Sequence, residues 1–425
     1  MTARDARQAE THQAIEATFR IERARLVAGL ARRVRNVDVA EELAQDALVA
    51  ALSEWPKSGV PSNPGAWLMA VAKRRAVDAF RHDRMRERKH EEIARTLDPA
   101  FDGTAAIDAA MDDDPGDELL GLIFTACHPL LSPDARAALT LKVVGGLTTG
   151  EIARAFLSSE AAIAQRIVRA KKAIADARLP FEAPRGAERA ARLPSVLEVI
   201  YLIFNEGYAA TAGDDLVRPG LCLEAQRLGR MLAGLMPGDA EVFGLLALIE
   251  IQASRHGART GPEGILVPIT EQDRTRWDAL LIRRGLDALA RAQALGGDGP
   301  YVLQAALAAC HARAREAGDT DWPRIAALYD RLRRVAPSPV VDLNRAIAHS
   351  MAFGPDAGLR LLDEIADAGA LRDYAPLPAA RGDFLFRAGR REEARSAFTA
   401  AAALTHNARE RAFLLSRADA CDDRR

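Results

Sequence analysis

Leu147-Thr-Thr-Gly-Glu-Ile-Ala-Arg-Ala-Phe-Leu-Ser-Ser-Glu-Ala-Ala-Ile-Ala-Gln-Arg-Ile-Val-Arg-Ala-Lys-Lys172 decides how this chain is read. The spacing predicts two helices joined by a short turn. At 100° per residue, Ile163, Ile167, Ala170 and Ile174 share one side of the second helix, a stripe fit to pack on a core. Ala161, Gln165, Arg169 and Lys172 lie opposite. Small Ala161 permits close approach, Gln165 suits an adenine edge, and Arg169 and Lys172 suit guanine or phosphate. The first helix has Thr148 or Thr149 as N-cap and Glu151 in its first turn, with Ile152 and Phe156 facing inward. Ser158 and Ser159 supply the break and the next cap. This is the geometry of a helix offered to the DNA major groove. An ordinary helical hairpin with a solvated basic face would show the same spacing.

Working outward, 425 residues are enough for several domains. Apolar residues make up 49% and aromatics only 5%, which favours small-residue helix packing over sheets. A net charge of −1 gives no bulk attraction to DNA, so affinity must come from local patches. Such patches exist: Lys57 to Lys89 carries nine basic residues against three acidic ones, whereas Asp98 to Glu118 carries acids and no base. The polar N-terminus lacks the features of a secretory signal. The most apolar run, Val196 to Phe204, contains Glu198 and is too short to span a bilayer. Cys127, Cys222, Cys310 and Cys421 are scattered, and neither Cys127-His128 nor Cys310-His311 has further ligands nearby, so no metal or cofactor is expected. No spacing supports a catalytic triad or carboxylate pair. The expectation is a cytoplasmic, non-enzymatic protein that makes no membrane contact.

Nearly every periodic stretch reads as helix, giving an all-α fold. Expected blocks are 10–95, an acidic linker at 96–117, 118–178 ending in the helix-turn-helix, a helical domain at 188–290, and 291–425. In the last, Gly382, Ala394, Phe398 and Ala401 fit positions 8, 20, 24 and 27 of a tetratricopeptide-like repeat, and weaker copies precede them. Such repeats stack into a solenoid with a concave groove.

In the first block, Asp38, Glu41, Glu42 and Asp46 form an acidic stripe on one helix. The segment that follows, Asn63-Pro-Gly-Ala-Trp67-Leu, leads into a basic helix with Lys73, Arg74, Arg75, Asp78 and Arg81. Cations for phosphates beside a tryptophan make a plausible platform for single-stranded DNA, although Trp67 suits a core anchor equally well. Arg74 and Asp78 are also spaced for a helical ion pair.

The two blocks, in this order, resemble regions two and four of a bacterial RNA polymerase sigma factor of the extracytoplasmic-function type. The resemblance implies that Asp38, Glu41, Glu42 and Asp46 dock on core RNA polymerase. It implies that Asn63, Trp67, Lys73, Arg74, Arg75, Asp78 and Arg81 engage the −10 promoter DNA. Ser159, Glu160, Ala161, Gln165, Arg166, Arg169, Lys171 and Lys172 would then read the −35 box. Leu157 and Ser158 depart from the family's usual turn, where Gly and a branched apolar residue are common. Glu198 to Tyr208, Arg227 to Arg230, Asp298 to His311 and the repeats resemble the subgroup with a tetratricopeptide-like C-terminal extension. That likeness implies an extension that adjusts activity. Asn205, Glu206 and Tyr208 are its candidate site for a protein or small-molecule ligand, beside the plainer reading of a helix end capped by Gly207. Two alternatives from other classes are a helix-turn-helix regulator with a helical effector-binding domain, and a repeat scaffold with merely solvated basic helices.

Overall fold

The computed structural model describes residues 3–91, 115–156, 158–208, 219–259, 261, 267–367, 369, 371–405 and 408–422; the side chains of 3–14, 16–17, 20–21, 78–91, 115–116 and 408–409 are not among the described features. Every regular element among them is helical, which agrees with the all-α expectation. Of the acidic linker expected at 96–117, residues 96–114 lie outside the described residues and 115–117 begin a helix. The chain divides into two compact units, 1–199 and 200–425.

The first unit opens with α1 (Ala3–Val34), α2 (Val37–Ser58) and α3 (Pro64–Glu91). Asn36 starts α2 by accepting the Asp38 and Val39 N–H groups, so two otherwise orphaned donors are satisfied. Asn63 does the same for α3 through the Ala66 N–H at 3.1 Å. Ala40, Ala44, Ala47 and Ala51 recur on the inner face of α2, all buried. Their small side chains let α1 and α2 approach closely around Leu26, Leu30, Leu43 and Trp55.

The same unit continues with α4 (Pro115–Ala126), α5 (Pro133–Val143), α6 (Thr149–Ala155), α7 (Glu160–Asp176) and the start of α8 (Gly186–Tyr208). Ser132 caps α5 ahead of Pro133 at the first helical position, where a missing N–H costs nothing. Thr148, not Thr149, caps α6 and forms a capping box with Glu151; Ser159 caps α7 through the Ala162 N–H. Their core holds Leu122, Phe124, Leu139, Leu141, Ile152 and Ile163. The expected start of the extension at 188 falls inside α8, whose first half is bonded to this core. Ser195 Oγ donates to the Cys127 carbonyl (2.5 Å), Arg192 donates to that of Phe124 (2.8 Å), and buried Arg136 bonds Ser195 and Glu198.

The second unit contains the end of α8, then α9 (Pro219–Leu235), α10 (Ala240–Ala253), α11 (Ala279–Ala294), α12 (Pro300–Arg313) and α13 (Trp322–Val335). It closes with α14 (Pro339–Phe353), α15 (Pro355–Asp367), α16 (Pro376–Arg387), α17 (Arg391–Leu404) and α18 (Ala408–Asp419). Helix α10 is buried nearly all round and packs on α11 and α12, as its apolar run Val242–Ile249 requires. One core cluster gathers Leu248, Leu289, Leu303 and Leu332; another gathers Leu362, Phe384, Phe398 and Leu414. In the second, α14–α15 and α16–α17 form successive helical hairpins. Gly207 is not a left-handed cap. It lies within α8, where a Cβ would come 2.7 Å from the Cys222 backbone nitrogen, so its role is close helix approach.

Candidate nucleic-acid interface

Helix α7 buries Ile163, Ile167, Ala170 and Ile174, the face expected from periodicity. Ala161, Gln165, Arg169 and Lys172 are exposed on the other side. Val168 joins them at 63% exposure, a large apolar side chain with no packing role there. The same 100° arithmetic places it at the edge of that face, about 40° beyond Lys172 and about 60° from Gln165. An aliphatic group in that position can contact a thymine methyl. Ser159 is occupied as a cap, its Oγ accepting the Ala162 N–H at 3.2 Å, and Glu160 is exposed in the first turn. Arg166 is half-buried and lies 3.8 Å from Asp134.

Lys171 behaves differently from its neighbours. Its side chain is only 11% exposed, and Nζ donates to Asp38 and to Glu41, both at 2.6 Å. Burial alone would lower its pKa, but the hydrogen bonds it donates to both carboxylates outweigh that and hold it above the ordinary lysine value. Glu41 also receives Arg23 Nη2 at 2.5 Å, while Arg23 Nη1 donates to the Lys142 carbonyl at 2.8 Å. Two of the four acidic-stripe residues are thus tied to a residue of α7.

The other two acids of the stripe differ from each other. Glu42 is exposed, and Asp46 pairs with Arg75 at 3.0 Å. Val49 and Leu52 stand exposed at 57% and 38% on the same side of α2, adding apolar area that sequence reasoning missed. A mixed acidic and apolar face is what a protein interface needs, because its buried centre is depleted of charge.

On α3, Asn63 is spent on the cap and Arg74 is exposed. Trp67 is half-buried, its ring edge-on to buried Trp55 at 5.3 Å, so it is anchored without being sealed from solvent. Lys73 is half-buried, and burial followed by repulsion from Arg33 lowers its pKa. The side chains of Asp78 and Arg81 lie outside the described residues. No metal-holding group of three or more His, Cys, Asp or Glu occurs among the described residues. No helix among them is long and apolar enough to cross a membrane.

In the second unit, Tyr208 donates to Gln252 (3.2 Å), stacks on Phe204 and lies under the Arg259 guanidinium, 3.7 Å from the ring centroid. Asn205 is exposed and interacts with Tyr201, and Glu206 is half-buried. The three expected extension residues therefore divide, and only Tyr208 enters the arginine-rich cluster near the end of α10.

Against known proteins, residues 21–86 match Sigma-70 region 2 and residues 122–174 match Sigma-70, region 4. Residues 192–293 match a family of unknown function (DUF6596). An uncharacterized protein of Rhizobium meliloti (strain 1021) is 42% identical over 399 residues, covering 93% of each chain.

Proposed function

Because the chain belongs to the sigma-70 family, with region 2 and region 4 followed by a C-terminal helical domain, we propose that it is a promoter-specificity subunit of the extracytoplasmic-function type acting in the cytoplasm. Core RNA polymerase docks on the α2 face of Asp38, Glu41, Glu42 and Asp46, with Val49 and Leu52 as its apolar centre. Asn63, Trp67, Lys73, Arg74, Arg75, Asp78 and Arg81 serve the −10 DNA. Gln165, Val168, Arg169 and Lys172 reach −35 base edges and phosphates, Ala161 lets the helix close on them, and Ser159 and Glu160 set the helix start. Selection comes from binding free energy, without covalent chemistry. The single observation that carries this reading is the outward face of α7, held by a capped and buried opposite face.

The Lys171 contact adds a requirement. The −10 and −35 boxes lie about 25 base pairs apart, roughly 85 Å of duplex at ~3.4 Å per pair. Two modules joined through a 2.6 Å ion pair cannot read both at once. The described first unit is therefore the resting arrangement, and docking on polymerase separates Lys171 from Asp38 and Glu41. Residues 200–425 regulate that step, with the helical hairpins of α14–α17 as tetratricopeptide-like units that bind a partner.

Transcription with purified core enzyme tests the reading, comparing the full chain with residues 1–199. The boundary keeps the Arg192 and Ser195 bonds, which a cut near residue 180 would remove. Altered promoter use or output on truncation supports a regulatory extension; identical behaviour in every respect refutes it.

A further inference from the structure

Apart from Arg255, Arg259 and Arg274, the half-buried arginines described in the second unit are all tied to carboxylates. Arg227 meets Glu224 at 2.7 Å, Arg345 meets Asp330 at 2.6 Å, Arg381 meets Asp363 at 2.6 Å and Arg417 meets Asp383 at 2.9 Å. Arg255, Arg259 and Arg274 break the rule. All three are half-buried, and none has a carboxylate ion-pair partner among the described residues.

They are nevertheless drawn together. Arg255 Nη1 and the Tyr208 hydroxyl both donate to Gln252 Oε1, at 2.9 and 3.2 Å, and Arg255 Nε donates to buried Gln272 at 3.2 Å. Arg259 covers the Tyr208 ring and donates to the Tyr208 carbonyl. Arg255 and Arg274 share the Trp277 ring, their guanidinium carbons 5.5 and 4.9 Å from its centroid. Trp277 is itself only 6% exposed, and its indole N–H has no hydrogen-bond partner.

Among the described residues, the nearby acids do not neutralise this cluster. Asp273 is turned to the Thr275 N–H and hydroxyl, and Asp278 caps α11. Asp319 acts on Arg274 without an ion pair, its Oδ2 bound to the Glu316 N–H. His256 and His311 give no compensation either. Burial and the neighbouring arginines lower both pKa values, that of His311 to about 4. Partly buried charge without a counter-charge is costly, and its usual remedy is an anion. Arg255 and Arg259 retain guanidinium N–H groups beyond those bonded to Gln252, Gln272 and the Tyr208 carbonyl.

We propose that Arg255, Arg259 and Arg274 form a binding site in the second unit for the phosphoryl group of a small molecule. A doubly charged oxyanion with several acceptor oxygens matches these forked cations better than a single carboxylate does. Gln252 and Gln272 hold Arg255 in place, while the Tyr208 and Trp277 rings position the cations without quenching their charge. The site does not depend on the proposed role of the first unit, so its test reads binding alone.

The test titrates the full chain with inorganic phosphate at constant ionic strength, with acetate as the comparison. Melting temperature is followed, and phenylglyoxal modification of each arginine is mapped by mass spectrometry. Phosphate should give a saturable rise in melting temperature and saturable protection of Arg255 and Arg259. Acetate at the same concentration should give neither. Arg259→Gln, with helix content intact, should weaken the phosphate response at least tenfold. A rise that is linear in phosphate and unchanged in Arg259→Gln is a general salt effect and overturns the site. Equal saturation by acetate overturns the phosphoryl assignment. Should the variant misfold, unchanged modification rates in the native chain overturn the proposal unaided.

Discussion

Lys171→Met removes one charge from the contact between α7 and α2 and keeps most of the stem. The native ammonium makes two 2.6 Å bonds to carboxylates and is 11% exposed. Its removal does not strand a buried charge: Glu41 keeps Arg23 at 2.5 Å, and Asp38, at 69% side-chain exposure, returns to water. The loss therefore belongs with charge-assisted hydrogen bonds, about 1–3 kcal/mol, and below the ~3–5 kcal/mol of an orphaned buried ion. That shifts the closed-to-open equilibrium roughly 5- to 150-fold toward open, at about 1.4 kcal/mol per decade. Fluorophores on cysteines introduced at exposed Gln45 and Ala164 report the separation, and titration with core polymerase reports capture. The four native cysteines are buried. The variant should show a longer separation and tighter capture, and native protein should move the same way as salt is raised. An unchanged separation together with unchanged capture would refute the latch. Weaker promoter binding alone would assign Lys171 to DNA.

Arg169→Ala should cost about 1–3 kcal/mol at one −35 position if it meets a base edge, with a smaller and sequence-independent loss if it meets phosphate. Val168→Ala should relax preference for thymine at one position while leaving helix content unchanged; selection of −35 sequences from a random library measures both. His311 tests pH linkage: burial first, then Arg255 and Arg274, hold its pKa at about 4, against about 6.5 when unfolded. The fold thus prefers neutral imidazole, so stability should be full above the unfolded value and fall between pH 6.5 and about 4, by up to ~3 kcal/mol. Urea unfolding of the full chain and of His311→Gln should differ in slope across that window, and equal slopes would remove His311 as a cause. Gly382→Ala brings a Cβ to 2.8 Å from the Phe398 ring and should destabilise the second unit by about 1–3 kcal/mol, read as a lower melting temperature.

What the sequence disclosed and what it hid follow from range. Ser159 and the Thr148–Glu151 capping box are contacts within three residues, and the Ile163–Ile174 stripe is set by helical period, so both could be read directly. Gly382, Ala394, Phe398 and Ala401 were legible as packing positions for the same reason, and all four are buried. The Lys171–Asp38 bond joins residues 133 apart, and no local spacing encodes it. Gly207 stood at a plausible helix end, so its close approach to Cys222 was invisible without the partner helix. Arg255, Arg259 and Arg274 were lost among many arginines, because only the folded chain reveals which half-buried cations have no acid partner among the described residues. Asn205, Glu206 and Tyr208 attracted notice as one string, yet adjacent residues on a helix face different ways, and Tyr208 alone reaches that cluster.

Start-site selection measures the central claim most directly. Core RNA polymerase is supplied with the full chain, or with residues 1–199, and a library of randomised upstream sequences, and transcript 5′ ends are sequenced. The account predicts defined starts that need the added chain, two enriched boxes spaced as −35 and −10, and relaxed choice at one upstream position with Arg169→Ala. Random initiation that neither form of the chain alters, at any salt concentration that permits polymerase binding, would contradict it.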